Sequence, residues 1–460
     1  MVKALNCATI ALQNHAQYMD KVPYGVQQDR LKLTPEGFKL LSELGQISNN
    51  LYNQCTYAYR QHFFANGKNP NKFLSRSDIQ FQLCEFENAQ LMYSQAAQAV
   101  AHSVLEAFKS FKALNKMHLN GELHFVPKLP KYREKGGTYQ VIYPSQHIKV
   151  KDGCYVIPLG RGGEKHFGQK NFRIPIPERM RERRLREIRF VPRHGEWMVE
   201  YVYANPEIPV REKSATHSHV LGIDIGIDNA LTCVSNQGAG FIICGRKLKS
   251  LNQRFNKFKA RLQSLLPKKQ HWSKHLSKLT LKRNFQMRDW VNKTARELIN
   301  YCESAGIDTI VIGHNKMQKQ EVNMGKKNNQ NFNFIPHFKL RARIAQLCEL
   351  KSIHYIETEE SYTSKSSFLN SDLLPTFGAK PERWQSSGKR VKRGLFRTAE
   401  SFLINADCNG AANILKKVST KLGLDLGGVS RGALTAPFRY TMNKQTNCFG
   451  LVDLKNPAHS

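Results

Sequence analysis

The chain is short of acids and lacks any cysteine pattern suited to a soft metal. Among 460 residues, Asp and Glu number 36 against 70 Lys and Arg, an excess of 34 positive charges. Such an excess repels itself unless a polyanion is the regular partner, and nucleic acid is the leading one. No stretch approaches the ~20 apolar residues that span a bilayer, and the basic residues are not gathered into one amphipathic block, so no membrane partner is expected. The apolar ALNCATIAL near the start has neither a basic leader nor a small-residue cleavage site, so it does not read as a signal peptide. The ten cysteines contain no C-x-x-C, and the closest two, Cys233 and Cys244, are eleven apart. This argues against a cysteine zinc site and for a reducing cytoplasmic compartment, nucleoid-associated if DNA is the partner. Internal repeats and low-complexity tracts are absent as well.

What is present builds cores. Hydrophobic residues make up 40% of the chain, with 25 Phe, and the length exceeds one ordinary core, so two or three folding units are expected in a multidomain α/β protein. Thr34 as N-cap, then Pro35 and Glu36, open a helix with Phe38, Leu41, Leu44, Ile47 and Leu51 on one face. A second helix, roughly 88–115, buries Leu91, Ala97, Val100, Val104, Phe108 and Phe111, so 31–119 reads as a helical unit. Around it lie strand signals: IKVKDGCYVI turns at Asp152-Gly153, and IRFVPRHGEWMVEYVYA turns at His194-Gly195 and then alternates Trp197, Val199, Tyr201, Tyr203. This is a β-barrel, 1–30 and 120–210, interrupted by a helical insert. Residues 205–218, polar with two prolines, form the linker.

The second half, 216–418, begins with three short strands, HVLGIDIG, ALTCVS and GFIICG. A helix follows with Leu248, Leu251, Phe255, Phe258, Leu262 and Leu265 on one side and a basic exterior, and then its partner with Val291, Ala295, Leu298 and Cys302. DTIVIG, the helix 336–351 and IHYIET complete an order β-β-β-α-β-α-β-α, that of an RNase H-like layer. Residues 419–460 read as a C-terminal tail.

Two aspartates stand out. Asp224 in GIDIG is either a strand-end residue at a turn or a ligand pointing out of an apolar strand. Asp407 in DCNGAANILKK either caps the helix of Ala411, Ile414 and Leu415 or shares a site with Asp224. Two such carboxylates flanking an RNase H-like series suit a pair of hard divalent ions.

GIDIGIDNAL, the strand VIG, the turn SYTSKSS and DCNGAANI, in that order, resemble the RuvC nuclease core of TnpB, a transposon-associated family of RNA-guided nucleases. The resemblance covers nearly the whole chain. It implies a wedge β-barrel with a helical recognition domain, then an RNase H-like RuvC domain in which residues 361–400 form a degenerate zinc-ribbon, target-nucleic-acid-binding insert. It also implies a guide RNA from the transposon end, a double-stranded DNA target with a short flanking motif, and two Mg²⁺ or Mn²⁺ ions.

The sequence departs from the family twice. Residues 361–406 hold no cysteine, so no zinc is expected, and a basic loop at 388–397 stands there instead. Where the family's middle glutamate ends the fourth strand, this chain has Gly313. His314 is a poor substitute because Mg²⁺ prefers oxygen. Glu359 and Glu360, after the fifth strand, are either a relocated acid or a solvent-facing strand end. Strand alternation puts Glu360 on the side of Ile356 and Thr358, which makes it the first choice and Glu359 the second. Asp224, Glu360 and Asp407 are thus the expected ligands. The expected activity is RNA-guided DNA cleavage, with a nuclease-inactive guided repressor as the alternative. A conventional transposase would need no large basic cradle for RNA.

Overall fold

The computed structural model describes residues 24–69, 72–123, 125–204, 216–314, 336–443 and 445–451. Most of the expected first barrel segment and residues 205–215 of the expected linker lie outside these. The chain is mixed α/β and divides into two compact units, meeting between Pro209 and Val210.

In the first unit, helix α1 (Pro35–Ala65) starts where the sequence indicates: the Thr34 side chain accepts the Gly37 amide at 3.2 Å and Pro35 follows as the first helical residue. Short helices α2 (Arg76–Gln82) and α3 (Glu87–Gln90) lead to α4 (Ser94–Leu119). Strands β1 (Tyr24–Arg30), β2 (Val141–Pro144), β6 (Arg184–Arg193) and β7 (Glu196–Ala204) form one antiparallel sheet in the order β1-β7-β6-β2. A second sheet joins β3 (Lys149–Lys151), β4 (Cys154–Pro158) and β5 (Asn171–Pro175), with helix α5 (Gly160–Phe167) before its last strand. Both expected hairpins form, and their central residues, Asp152-Gly153 and His194-Gly195, all have positive φ, as two-residue turns between twisted strands require. Among the described residues the strands therefore hydrogen-bond as two sheets, not one closed ring. The helices are not a separate domain either: Leu41, Leu44, Val100 and Phe108 share a core with Tyr143, Phe190, Val199 and Tyr201. Gly45 explains the close fit, since a Cβ there would sit 2.7 Å from the Trp197 ring.

The second unit is a seven-stranded sheet in the order β12-β11-β8-β9-β10-β16-β17. Its strands are β8 (Val220–Asp224), β9 (Asn229–Ser235), β10 (Gly240–Cys244), β11 (Thr309–Gly313), β12 (His354–Thr358), β16 (Phe438–Met442) and β17 (Phe449–Leu451). β8, β11 and β12 are mutually parallel, and β9 is antiparallel to both β8 and β10. Alternation divides each strand between two layers. Leu221, Ile223, Ile310 and Ile312 pack with helices α6 (Arg246–Ser264), α7 (Lys274–Ser304) and α8 (His337–Leu350). Val220 and Val311 face α9 (Ala406–Leu422) and the small sheet β13 (Lys389–Lys392), β14 (Leu395–Arg397), β15 (Leu403–Asn405). Of the expected α6 stripe, Leu248 and Phe255 are buried but Phe258 and Leu265 are exposed.

The segment read as a tail needs correction. Beyond Leu422 the chain forms α10 (Arg431–Thr435) and strands β16 and β17, and β16 pairs in parallel with β10. Its Gly, Asn and Thr content hid a short edge hairpin: β16 mixes Arg439 and Thr441 with its apolar residues, and β17 has only three residues.

Candidate active site

β8 ends at Asp224, which by strand parity follows Val220 and Gly222 onto the α9 side. Two glycines bring the helix close. A Cβ at Gly222 would lie 2.6 Å from Leu415 Cγ and 2.7 Å from the Ala411 carbonyl, and one at Gly410 would lie 3.0 Å from Asp224 Oδ2. The Asp224 carboxylate therefore abuts the first turns of α9.

Asp407 stands on the second residue of that helix. It is not the N-cap: Asn405 is, its side-chain oxygen accepting the amides of Asp407 at 3.0 Å and Cys408 at 3.1 Å. With capping done by its neighbour, the Asp407 carboxylate is free to bond elsewhere. Its Oδ2 accepts from Asn229 Nδ2 at 2.7 Å and its Oδ1 from Arg390 Nη2 at 2.9 Å. The negative end group also sits favourably at a helix N-terminus.

The two glutamates after β12 separate cleanly. Glu359 bonds Lys417 Nζ and accepts the Ser361 amide at 2.7 Å. Burial works against its charge, yet Lys417 and Ser361 hold its carboxyl below the usual range. Glu360 turns the other way, into the space above Gly313. That position is in register beside the end of β8, Ile312 pairing with Ile223, and a Cβ on it would lie 2.9 Å from Glu360 Oε2 and 2.5 Å from Ile414 Cδ1. The missing strand-end carboxylate and the one supplied by Glu360 occupy one place, and a side chain at 313 has no room while Glu360 is there. His314 continues the sheet, its amide donating to the Thr358 carbonyl at 2.8 Å.

The three acids are coupled. Asp224 keeps some accessible surface, but its carboxyl is desolvated, and it is pushed up to about 7 by burial first, then by the charges of Glu360 and Asp407, with Arg390 pulling the other way. Hard oxygen donors whose mutual repulsion a divalent ion would relieve fit magnesium or manganese. As they stand they are not closed around an ion: among the described residues no three His, Cys, Asp or Glu side chains are gathered for one. Asp407 is meanwhile tied to Asn229 and Arg390.

Several contributors escaped sequence reading. Asn229 holds Asp407 and in turn accepts from Arg439 Nη1 at 2.9 Å. Asp228 next to it binds Lys249 at 2.8 Å and Arg393. The two asparagines of D-x-N-x-A-x-N-I are staples: Asn409 Nδ2 donates to the Ser366 carbonyl at 2.7 Å, and Asn413 Nδ2 to those of Thr363 at 2.9 Å and Ser366 at 2.8 Å. They lock the Y-T-S-K turn to α9. The 361–400 insert gathers around Asp372, which accepts the Ser367 amide at 2.7 Å, the Ser387 amide at 3.1 Å and the Ser387 hydroxyl at 2.6 Å. The basic loop is not simply solvated, since Arg390 and Arg393 both end on acids at the site.

Fold and site together define a two-unit α/β protein with a carboxylate cluster at the ends of parallel strands. A family model described as "Probable transposase", OrfB_IS605, matches residues 200–319. The TnpB-like protein ORF457 of Acidianus two-tailed virus is 24% identical over 442 residues, 86% of this chain and 88% of that protein. Similar solved structures include Cas12f1 in complex with sgRNA and target DNA, 16% identical over 85% of this chain and 98% of that one, TM-score 0.32. Another is the mini RNA-guided endonuclease Cas_phi3, 9% identical over 90% of this chain and 95% of that one, TM-score 0.41. The chain is thus similar to a TnpB-like protein along most of its length and to the transposase family model over residues 200–319. No described helix is long and apolar enough to cross a membrane.

Proposed function

We propose that the chain is an RNA-guided DNA endonuclease, encoded by or derived from a transposon, that works in the cytoplasm on nucleoid DNA. The observation that carries this is the approach of Asp224, Glu360 and Asp407 from three separate segments, with Asp224 pushed up to about 7 by its burial and its two neighbours. Carboxylates cluster at such cost in charge where function demands it. The strand order β10-β9-β8-β11-β12, with only β9 reversed, supports an RNase H-like RuvC domain, and the first unit's sheets with helices α1 to α4 support a wedge and recognition region.

Asp224, Glu360 and Asp407 would hold two magnesium or manganese ions, which when bound supply the Lewis-acid chemistry of in-line phosphodiester hydrolysis. Asn229 fixes the rotation of the Asp407 carboxylate. Lys417 keeps Glu359 turned away, and the Asn409 and Asn413 staples fix the turn from which Glu360 reaches in. The guide RNA reads sequence by base pairing, and the protein recognises duplex backbone and a short flanking DNA motif. The cysteine-free insert, organised by Asp372, takes no zinc in this reading.

A guided repressor without cleavage is the second reading, favoured by Arg390 on Asp407. Sequencing the RNA that purifies with the protein, then offering a randomised-flank DNA library with Mg²⁺, tests the first. Wild type should cut beside one short motif, and Asp224→Ala or Asp407→Ala should abolish cutting while leaving DNA binding nearly intact. Substantial cutting by either variant removes the site assignment.

A further inference from the structure

From Arg246 to Arg288 the chain holds fourteen Lys and Arg and no Asp or Glu. This acid-free run is α6, its connection, and the first half of α7. Helical spacing sorts the exposed cations into stripes: Arg254, Lys257 and Arg261 on α6, and Lys274, Lys278 and Lys282 on α7. Neighbours in each stripe, three or four residues apart, rise about 4.5–6 Å along the axis, the order of the spacing between phosphates on a nucleic-acid strand.

The topology aims these helices. β10 runs in the same direction as β8, so Cys244 ends on the Asp224 side of the sheet and α6 departs from there, with Lys249 reaching Asp228 at 2.8 Å. α7 then returns, and its second half, from Met287 to Cys302, packs on β8 and β11 before β11 starts at the opposite end. At 31 residues α7 is about 46 Å long, against roughly 17 Å for a five-residue strand. Its first half, tied to α6 where Arg283 Nη2 donates to Asn252 Oδ1 at 2.8 Å, thus extends past the carboxylate end of the sheet.

We propose that this helical pair is a phosphate-binding arm that holds the DNA duplex leading to the carboxylates, gripping the backbone by charge. A single sign of charge without interspersed acids, in stripes beside an acidic site that would otherwise repel DNA, fits that partner and supplies no direct reading of bases. The inference rests on DNA as the partner in the proposed function, but not on cleavage, so its test runs in EDTA.

The test uses full-length protein and two variants of equal charge: Lys257→Gln, Arg261→Gln, Lys274→Gln and Lys278→Gln together, and a control with Arg296→Gln, Lys351→Gln, Lys421→Gln and Arg431→Gln, exposed residues of the second unit outside the acid-free run. Fluorescence anisotropy follows a 30-bp DNA duplex and a single-stranded RNA of the same length across a salt series. The arm variant should bind the DNA at least tenfold more weakly, with the slope of log K against log salt reduced by about 3 to 4, since each lost duplex phosphate contact removes about 0.9. The control and the RNA should change by less than threefold. Lys257→Gln and Lys278→Gln alone should each lower the slope by about one, a check that survives if the fourfold variant misfolds. Equal loss in arm and control variants, loss confined to RNA, or unchanged DNA binding would each overturn the proposal.

Discussion

In the proposed site Glu360 takes, at the residue scale, the part of a strand-end glutamate at 313, and the two exclude each other by volume. Gly313→Glu should therefore fail to rescue Glu360→Gln in cleavage and should itself destabilise the fold by ~1–3 kcal/mol, the usual cost of overpacking, measured by denaturant unfolding. A rescued double variant would mean that the space above Gly313 is larger than the 2.5 Å approach of Ile414 Cδ1 allows. Asp224 gives a pH signature. Its carboxyl is pushed up to about 7 by burial and by Glu360 and Asp407. The folded metal-free chain thus holds that proton more tightly than the unfolded one, and the charged form costs stability as pH rises between about 4 and about 7. Asp224→Asn should remove that part of the slope and melt higher than wild type at pH 8 in EDTA; parallel melting profiles from pH 4 to 8 would contradict it. Period-two alternation from Ile356 through Thr358 was enough to prefer Glu360 over Glu359 in the sequence. The Lys417 contact that holds Glu359 aside was not legible, because it joins residues 58 apart that only the packing of α9 brings together.

At the scale of elements, the hairpin β13-β14 matters most. β14 pairs with β15, and β15 runs directly into α9, so the backbone that presents Asp407 also presents the arginine bound to it. Arg390 holds Asp407 Oδ1 at 2.9 Å, so a divalent ion bound by Asp407 would compete with it for one carboxylate. Arg390→Gln should bind Mn²⁺ several-fold more tightly than wild type without nucleic acid, read by electron paramagnetic resonance titration; equal or weaker binding would show that Arg390 does not oppose the ion. The sequence showed a basic loop here but not its acidic partners. It showed the five central strands and the helices between them, because the strands β8 to β11 are mostly apolar runs and the helices have apolar faces several turns long. It did not show the edge strands β16 and β17, nor that the first unit's strands form two sheets around one helical core, since pairing partners 170 residues apart leave no local signal.

At the scale of the molecule, an excess of 34 positive charges and an acidic cluster coexist in one chain. The cations suit a polyanionic partner, and the carboxylates suit hard divalent ions. In the proposed function the carboxylates at the ends of β8 and β12 carry the chemistry, and the first unit carries recognition. The direct test of this account compares wild type, Glu359→Gln and Glu360→Gln, each purified with its RNA, on one DNA target and flank with Mg²⁺, reading cut ends and bound DNA in the same samples. The account predicts cut ends from wild type and Glu359→Gln, none from Glu360→Gln, and equal RNA and DNA retention in all three. Cutting by Glu360→Gln, or a wild type that binds its target and never cuts it, would contradict it.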